Sequence, residues 1–137
     1  MDRIPSNQRL AERKLIRLVE SGEWEIDDQG RIWRTMVRTG LKTGGSHLVR
    51  VQRRRVEKPL PDGYLMVRAM IDGKRVCGLA QRLVWQHVYG DITGGRTVNH
   101  KNGIKDDNRP SNFELSSATE QMVHAHRSGL IDQHGQK

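Results

Sequence analysis

A chain of 137 residues, 34% hydrophobic and 29% charged, has room for one compact domain with a modest core and has no apolar run long enough to cross a bilayer. Its 24 Lys and Arg against 16 Asp and Glu give a formal charge of +8, which points to a polyanion as partner and away from a membrane. The single Cys77 excludes an internal disulfide and a cysteine-built zinc knuckle, and MDRIPSNQRLAERKL has no signal-peptide core, so a soluble protein in a reducing, intracellular setting is expected.

In chain order, Ser6 is a hydroxyl cap for a helix predicted to run to about Glu20. Ala11, Leu15, Leu18 and Val19 fall on one of its faces at i, i+4, i+7, i+8 spacing. Over 24 to 70 the texture turns to β. WEIDDQGRIWRTM predicts two short strands about Asp28-Gln29-Gly30, RTGLKTGGSH a loop, and GYLMVRAMIDGKRVCGLA a hairpin turning at Asp72-Gly73. LAQRLVWQHVYG resumes helical spacing, with Leu79, Leu83, Val84 and Val88 able to face a core and Gly90 as the stop; the stripe Trp85, Val88 and Tyr89 reads as core. RTVNH is then a short strand ending at His100, KNGIKDDNRPSN a loop with an Asn-Gly turn, FEL a second strand, and SSATEQMVHAHRSGL a hydroxyl-capped helix. That order is a ββα finger, and the class is α+β. There is no internal repeat and no low-complexity tract.

Two basic clusters stand upstream of the finger. RIWRTMVR spaces Arg31, Arg34 and Arg38 through a strand, and VQRRRVEK packs Arg53, Arg54, Arg55 and Lys58 together. Phosphate contact explains such clusters, and so does an edge strand guarded by charge.

The spaced elements Asn99-His100-Lys101-Asn102-Gly103, Asn108-Arg109-Pro110-Ser111-Asn112-Phe113 and Ser117-Ala118-Thr119-Glu120-Gln121-Met122-Val123-His124-Ala125 resemble, in order and spacing, the motif of the HNH endonucleases. This family is also called the His-Me finger or ββα-metal family, and the likeness is to its small phage- and intron-encoded homing-type members. It covers roughly residues 63 to 130. With the elements read above, the chain is expected to divide into an N-terminal helix over 1–22, a basic β-rich DNA-binding region with a closing helix over 23–90, an HNH finger over 91–130 and a tail over 131–137.

What the resemblance implies about the site can be carried over residue by residue. His100 matches the general base, Asn112 the structural Asn that ties the loop to the finger, and Asn99 and Gln121 the two metal ligands, with His124 in reserve one turn further on. The implied cofactor is one divalent cation, magnesium first and manganese second, because the ligands are oxygens. The implied partner is double-stranded DNA, gripped by Arg53, Arg54, Arg55, Lys58, Arg82, Lys101, Lys105, Arg109 and Arg127, with the protein a monomer or homodimer in the cytoplasm of a phage host. The pattern is departed from at Asn99 and Gln121, both neutral where Asp, His or Asn are usual, at Ala80-Gln81 before Arg82, and at Phe113 in place of Leu. Asn102 and Asn108 read as turn residues only. The function expected is metal-dependent cleavage of DNA, of nicking or homing type. A catalytically inert nucleic-acid-binding protein built on the same scaffold is the alternative, and a small RNA-binding protein the more distant one.

Overall fold

The structure, a computed structural model, describes residues 6–92 and 95–117. It is α+β. Helix α1 (Ser6–Ser21) is followed by strands β1 (Trp24–Ile26), β2 (Ile32–Gly40) and β3 (Ser46–Arg55), then β4 (Lys58–Pro59), β5 (Leu65–Ile71) and β6 (Lys74–Leu79). Helix α2 (Ala80–Tyr89), strand β7 (Arg96–His100), a 3-10 turn (Pro110–Asn112) and strand β8 (Phe113–Ser117) complete it. The strands form three antiparallel sheets, β1-β2-β3, β4-β5-β6 and β7-β8. No helix among the described residues is long and apolar enough to cross a membrane.

Local chemistry sets these elements. At the β5–β6 hairpin Asp72 and Gly73 take φ of 52° and 77°, the left-handed pair that a two-residue turn requires, and Ile71 pairs directly with Lys74. The β2–β3 pair runs further than the sequence suggested. Arg38 to Gly40 and Ser46 to His47 are strand, and only 41–45 is left as loop. Hydrogen bonds from Leu41 N to Gly45 O (3.1 Å) and Gly44 N to Leu41 O (3.0 Å) close a connection too tight to splay its flanks.

The core gathers Leu15 of α1, Ile32 of β2, Val67 of β5 and Leu83 and Val84 of α2, all fully buried. A polar staple crosses it. Arg82 of α2, expected on DNA, is instead only 5% exposed, and its Nε and Nη2 donate to Glu12 of α1 at 2.5 and 3.3 Å. Arg82 Nη1 also donates to the Arg96 carbonyl (3.2 Å), so one guanidinium ties α1, α2 and β7 together. Arg82 points inward because α1 covers that face of α2, and a buried cation needs a buried anion. It offers nothing to a phosphate.

The far end of α2 departs from expectation in the other direction. Val88 and Tyr89 are 45% and 52% exposed, because the last turn runs past the core. Tyr89 instead spends its hydroxyl on the Pro110 carbonyl at 3.1 Å, and half-buried Trp85 packs between Tyr89 and Phe113. Ser116 and Ser117, read as helix caps, belong to β8.

Candidate active site

Strand β7 delivers Asn99 and His100 to opposite faces, as alternation along a strand requires. The register with β8 sets Asn99 across from Glu114 and His100 across from Phe113. On the His100 side lie buried Val98 and Phe113; on the other lie Thr97, Asn99, Glu114 and Ser116.

The loop 101–112 leaving His100 is held by side-chain amides. Asn112, buried, donates from Nδ2 to Asn102 Oδ1 (2.9 Å) and to the Asp107 carbonyl (3.0 Å), and its Oδ1 accepts from Asn102 N (3.2 Å). Asn102 Nδ2 also donates to Asp107 Oδ2 at 2.8 Å, and Lys101 N donates to the Asn112 carbonyl at 2.7 Å. The loop therefore has one shape, fixed by groups that carry no net charge apart from Asp107.

That shape brings Asn108 against His100. Asn108 is 4% exposed, and its Oδ1 lies 2.7 Å from His100 Nε2. The assigned amide orientation makes Oδ1 the acceptor, so Nε2 carries the proton and Nδ1 keeps its lone pair. Asn108 is thus more than the turn residue the sequence suggested. Its motif element could be read, but a contact across eight residues of loop could not. Tyr64, in the turn just before β5, sets its ring 5.9 Å from the imidazole, with Phe113 edge-on at 5.6 Å on another side.

Burial between these rings pushes the His100 pKa below 6.5, outweighing the hydrogen bond to Asn108 and the charges of Asp107 and Asp106, which pull upward. The imidazole is neutral at neutral pH, the state a general base needs.

Asn99 is oriented separately. Its Nδ2 donates to Ser116 Oγ, and Thr97 Oγ1 approaches its Oδ1 at 3.4 Å, so the amide is held from both ends by β7 and β8. Gln121, His124 and Arg127 lie outside the described residues. Among the described residues no group of three or more His, Cys, Asp or Glu gathers as a ready-made metal cage. One neutral amide oxygen fits a hard cation that keeps waters and takes much of its coordination from a phosphate, and it does not fit zinc.

The basic residues divide between two faces of the β1-β2-β3 sheet. Arg53 stacks on the Trp33 ring at 3.8 Å, and Arg55 lies 5.5 Å from the same ring while binding Glu57 at 2.6 and 3.1 Å. Arg54 pairs across the sheet with Arg34, on the face of a groove of about 570 Å³ that also holds Lys58 and Arg68. Among the described residues none of Arg34, Arg54, Lys58 and Arg68 has a carboxylate within ion-pair distance, whereas Arg31, Arg38, Arg53, Arg55, Arg82 and Arg109 each have one. Arg34 Nε is buried with no hydrogen-bond partner. Nearer the finger, Lys101 is exposed, Lys105 Nζ donates to the Asp62 carbonyl (2.9 Å) over Tyr64, and Arg109 is tied to Asp107 at 2.8 and 2.7 Å. Sequence reading put Arg34 on a strand but missed Arg68 altogether.

Residues 79–123, which include the strand ending in His100 and its amide-stapled loop, match the family model for HNH endonucleases. Among solved structures it is similar to the HNH homing endonuclease I-HmuI, described for DNA binding and cleavage. The two share 21% identity with a TM-score of 0.57 over 79% of this chain and 54% of that one. This chain therefore spans about half the length of that neighbour. No curated protein matches the sequence.

Proposed function

We propose that this protein is a divalent-metal-dependent DNA endonuclease of the nicking or homing type, with His100 as its general base. The observation that carries this is the His100 imidazole itself, neutral, oriented by Asn108 Oδ1 through Nε2, and left with a lone pair on Nδ1. Nδ1 takes a proton from water as the water oxygen bonds to phosphorus, and the bond from phosphorus to the 3′ oxygen breaks. The departing 3′ oxygen takes a proton from solvent and His100 later returns its own, so the products are a 5′ phosphate end and a 3′ hydroxyl. Asn99 with Gln121, and His124 in reserve, would hold a magnesium or manganese ion, which supplies charge at the phosphate and at the departing 3′ oxygen.

Duplex binding falls to the unpaired cations. Arg34 and Arg54 face each other without an anion between them, an arrangement that is unfavourable until a phosphate arrives. Arg53 and Arg55 on the other face of the sheet, and Lys101 and Lys105 near the finger, would add to the binding surface. The match to HNH endonucleases and the likeness to I-HmuI support the reading. Each chain carries one His100, so one chain cuts one strand at a time, and a double-strand break needs a second copy or a second visit. Such an enzyme works where its DNA is, inside the cell of a phage host.

A supercoiled-plasmid assay with and without magnesium or manganese tests this. Nicked circles should form with either ion and vanish with chelator or with His100→Ala. A wild-type protein that binds duplex but never nicks it under these conditions would leave the inert-scaffold alternative.

A further inference from the structure

Gly30 lies in the 27–30 turn between β1 and β2, about fifty residues before the family match begins and in a different sheet from the hairpin that carries His100. It is buried, with φ of +74°, and a methyl group on its Cα would stand 1.7 Å from the backbone oxygen of Asn108 and 2.6 Å from the carbonyl carbon. Both partners are backbone, so no side-chain rotation relieves the approach. Only glycine allows it.

The turn that presents Gly30 is built to keep its place. Asp27 accepts through Oδ1 from Gln29 N (3.0 Å) and Arg31 N (2.9 Å), and through Oδ2 from Arg31 Nε (3.0 Å) and Trp33 Nε1 (2.9 Å). Gly30 N donates to the Asp27 carbonyl at 3.0 Å, closing the turn. This network meets the site where Gly30 contacts the backbone of Asn108, the residue whose side chain holds the imidazole.

We propose that the 27–30 turn is the backstop of the catalytic imidazole: Gly30 seats the Asn108 backbone, and Asn108 Oδ1, so seated, fixes His100 through Nε2. Gly30 is then a positioning residue acting through Asn108, and the active centre extends beyond the HNH finger into the N-terminal sheet. The proposal rests on His100 being the base.

The test is a double-mutant cycle in the full chain, Gly30→Ala and Asn108→Ala, read in two ways. The first is imidazole nitrogen NMR at a pH where the ring is neutral. Wild type should show one tautomer protonated at Nε2, and both single variants should show a tautomer mixture. The second is single-turnover cleavage at saturating DNA. Gly30→Ala should cut about tenfold or more slowly, the scale expected when a reacting group is displaced, with its DNA Kd within about twofold of wild type. The double variant should cut no more slowly than Asn108→Ala alone. Gly40→Ala, where an added methyl meets nothing within 4 Å, should behave as wild type.

A Gly30→Ala protein with the wild-type tautomer and rate overturns the proposal, and so does a double variant in which the two losses multiply, since that is the mark of a merely structural glycine. Should Gly30→Ala fail to fold by circular dichroism, Asp27→Asn, which loosens the turn without adding bulk, enters the same cycle with the same directions expected. An Asp27→Asn protein with unchanged ring and rate overturns the proposal equally. If wild type cleaves no DNA, His100 as base is wrong, yet the tautomer comparison still decides whether Gly30 seats the imidazole.

Discussion

The β2–β3 ribbon and the β7–β8 hairpin are both antiparallel pairs closed by a loop, yet they spend their polar groups in opposite ways. The ribbon's loop 41–45 is closed by backbone hydrogen bonds, and two of the arginines on its strands, Arg34 and Arg54, face a groove with no anion between them. The hairpin's loop 101–112 turns Asn102, Asp107 and Asn112 on one another and aims Asn108 at His100. The ribbon leaves cations without anions, while the hairpin holds its loop and its imidazole through side-chain amides, with Asn108 Nδ2 alone among them buried without a partner. Under the proposed function the first region would govern affinity and the second rate.

The hardest blow to that division is His100→Ala. It should lower single-turnover cleavage by about 10²- to 10⁴-fold, the usual worth of a general base, while DNA Kd in a filter or anisotropy assay stays within about twofold. A comparable loss of affinity would mean the hairpin also carries binding. Asn112→Ala comes next. It strips the loop of three hydrogen bonds and leaves buried partners unsatisfied, so thermal unfolding should reveal about 1–3 kcal/mol of lost stability, with cleavage down about tenfold or more.

The metal offers a finer cut through the hairpin region. Asn99→Asp should lower the magnesium concentration for half-maximal cleavage and Asn99→Ala should raise it, each by several-fold, about the effect of one ligand charge. A magnesium titration flat to both substitutions would remove Asn99 from the ligand set. For pH, burial sets the His100 pKa below its ordinary value, so wild-type cleavage should climb as the ring loses its proton and level off at a lower pH than an exposed imidazole would give. Asn108→Asp places an anion on Nε2, favours the imidazolium and should move that climb to higher pH. A pH–rate profile unmoved by Asn108→Asp would separate Asn108 from the base.

The smallest effect expected belongs to the ribbon. Neutralising Arg34 and Arg54 together should flatten the dependence of log Kd on log salt by about two ion-release units, roughly 0.9 for each phosphate no longer neutralised. Arg55→Gln should flatten it less, because Glu57 already claims that guanidinium. Equal slopes for the two would make pairing with carboxylates irrelevant to binding.

The parts of this fold that could be read from the chain were those set by neighbours in sequence. The face of α1, the Asp72-Gly73 turn and the stretch from His100 to Asn112 all follow from residues within a dozen positions of one another. Arg82 could not be read, because the carboxylate that draws it inward is Glu12, seventy residues earlier, and a cation on a helix looks the same from sequence whether it meets phosphate or glutamate. The split of Arg53, Arg54 and Arg55 was within reach, since alternation along a strand sends the middle one to the opposite face. What hid it was treating three adjacent charges as one patch. Asn108 and Tyr64 were hidden for another reason: the loop and the turn before β5 reach His100 by packing, which leaves no periodic trace.

The pairing of Glu12 with Arg82 bears on how the chain is made. During synthesis α1 leaves the ribosome well before α2, so the carboxylate waits for its guanidinium across a long sequence separation, the kind of contact that forms late. Until both helices are out and docked, α2 has an uncompensated cation on the face it must bury, and closing the core over it would cost about 3–5 kcal/mol. Strand β7 receives its own hydrogen bond from that same guanidinium, so the segment ending in His100 gains its seat only as the pair forms. An ion pair outside the His100 loop thereby couples the seating of β7 to capture of the helix made first.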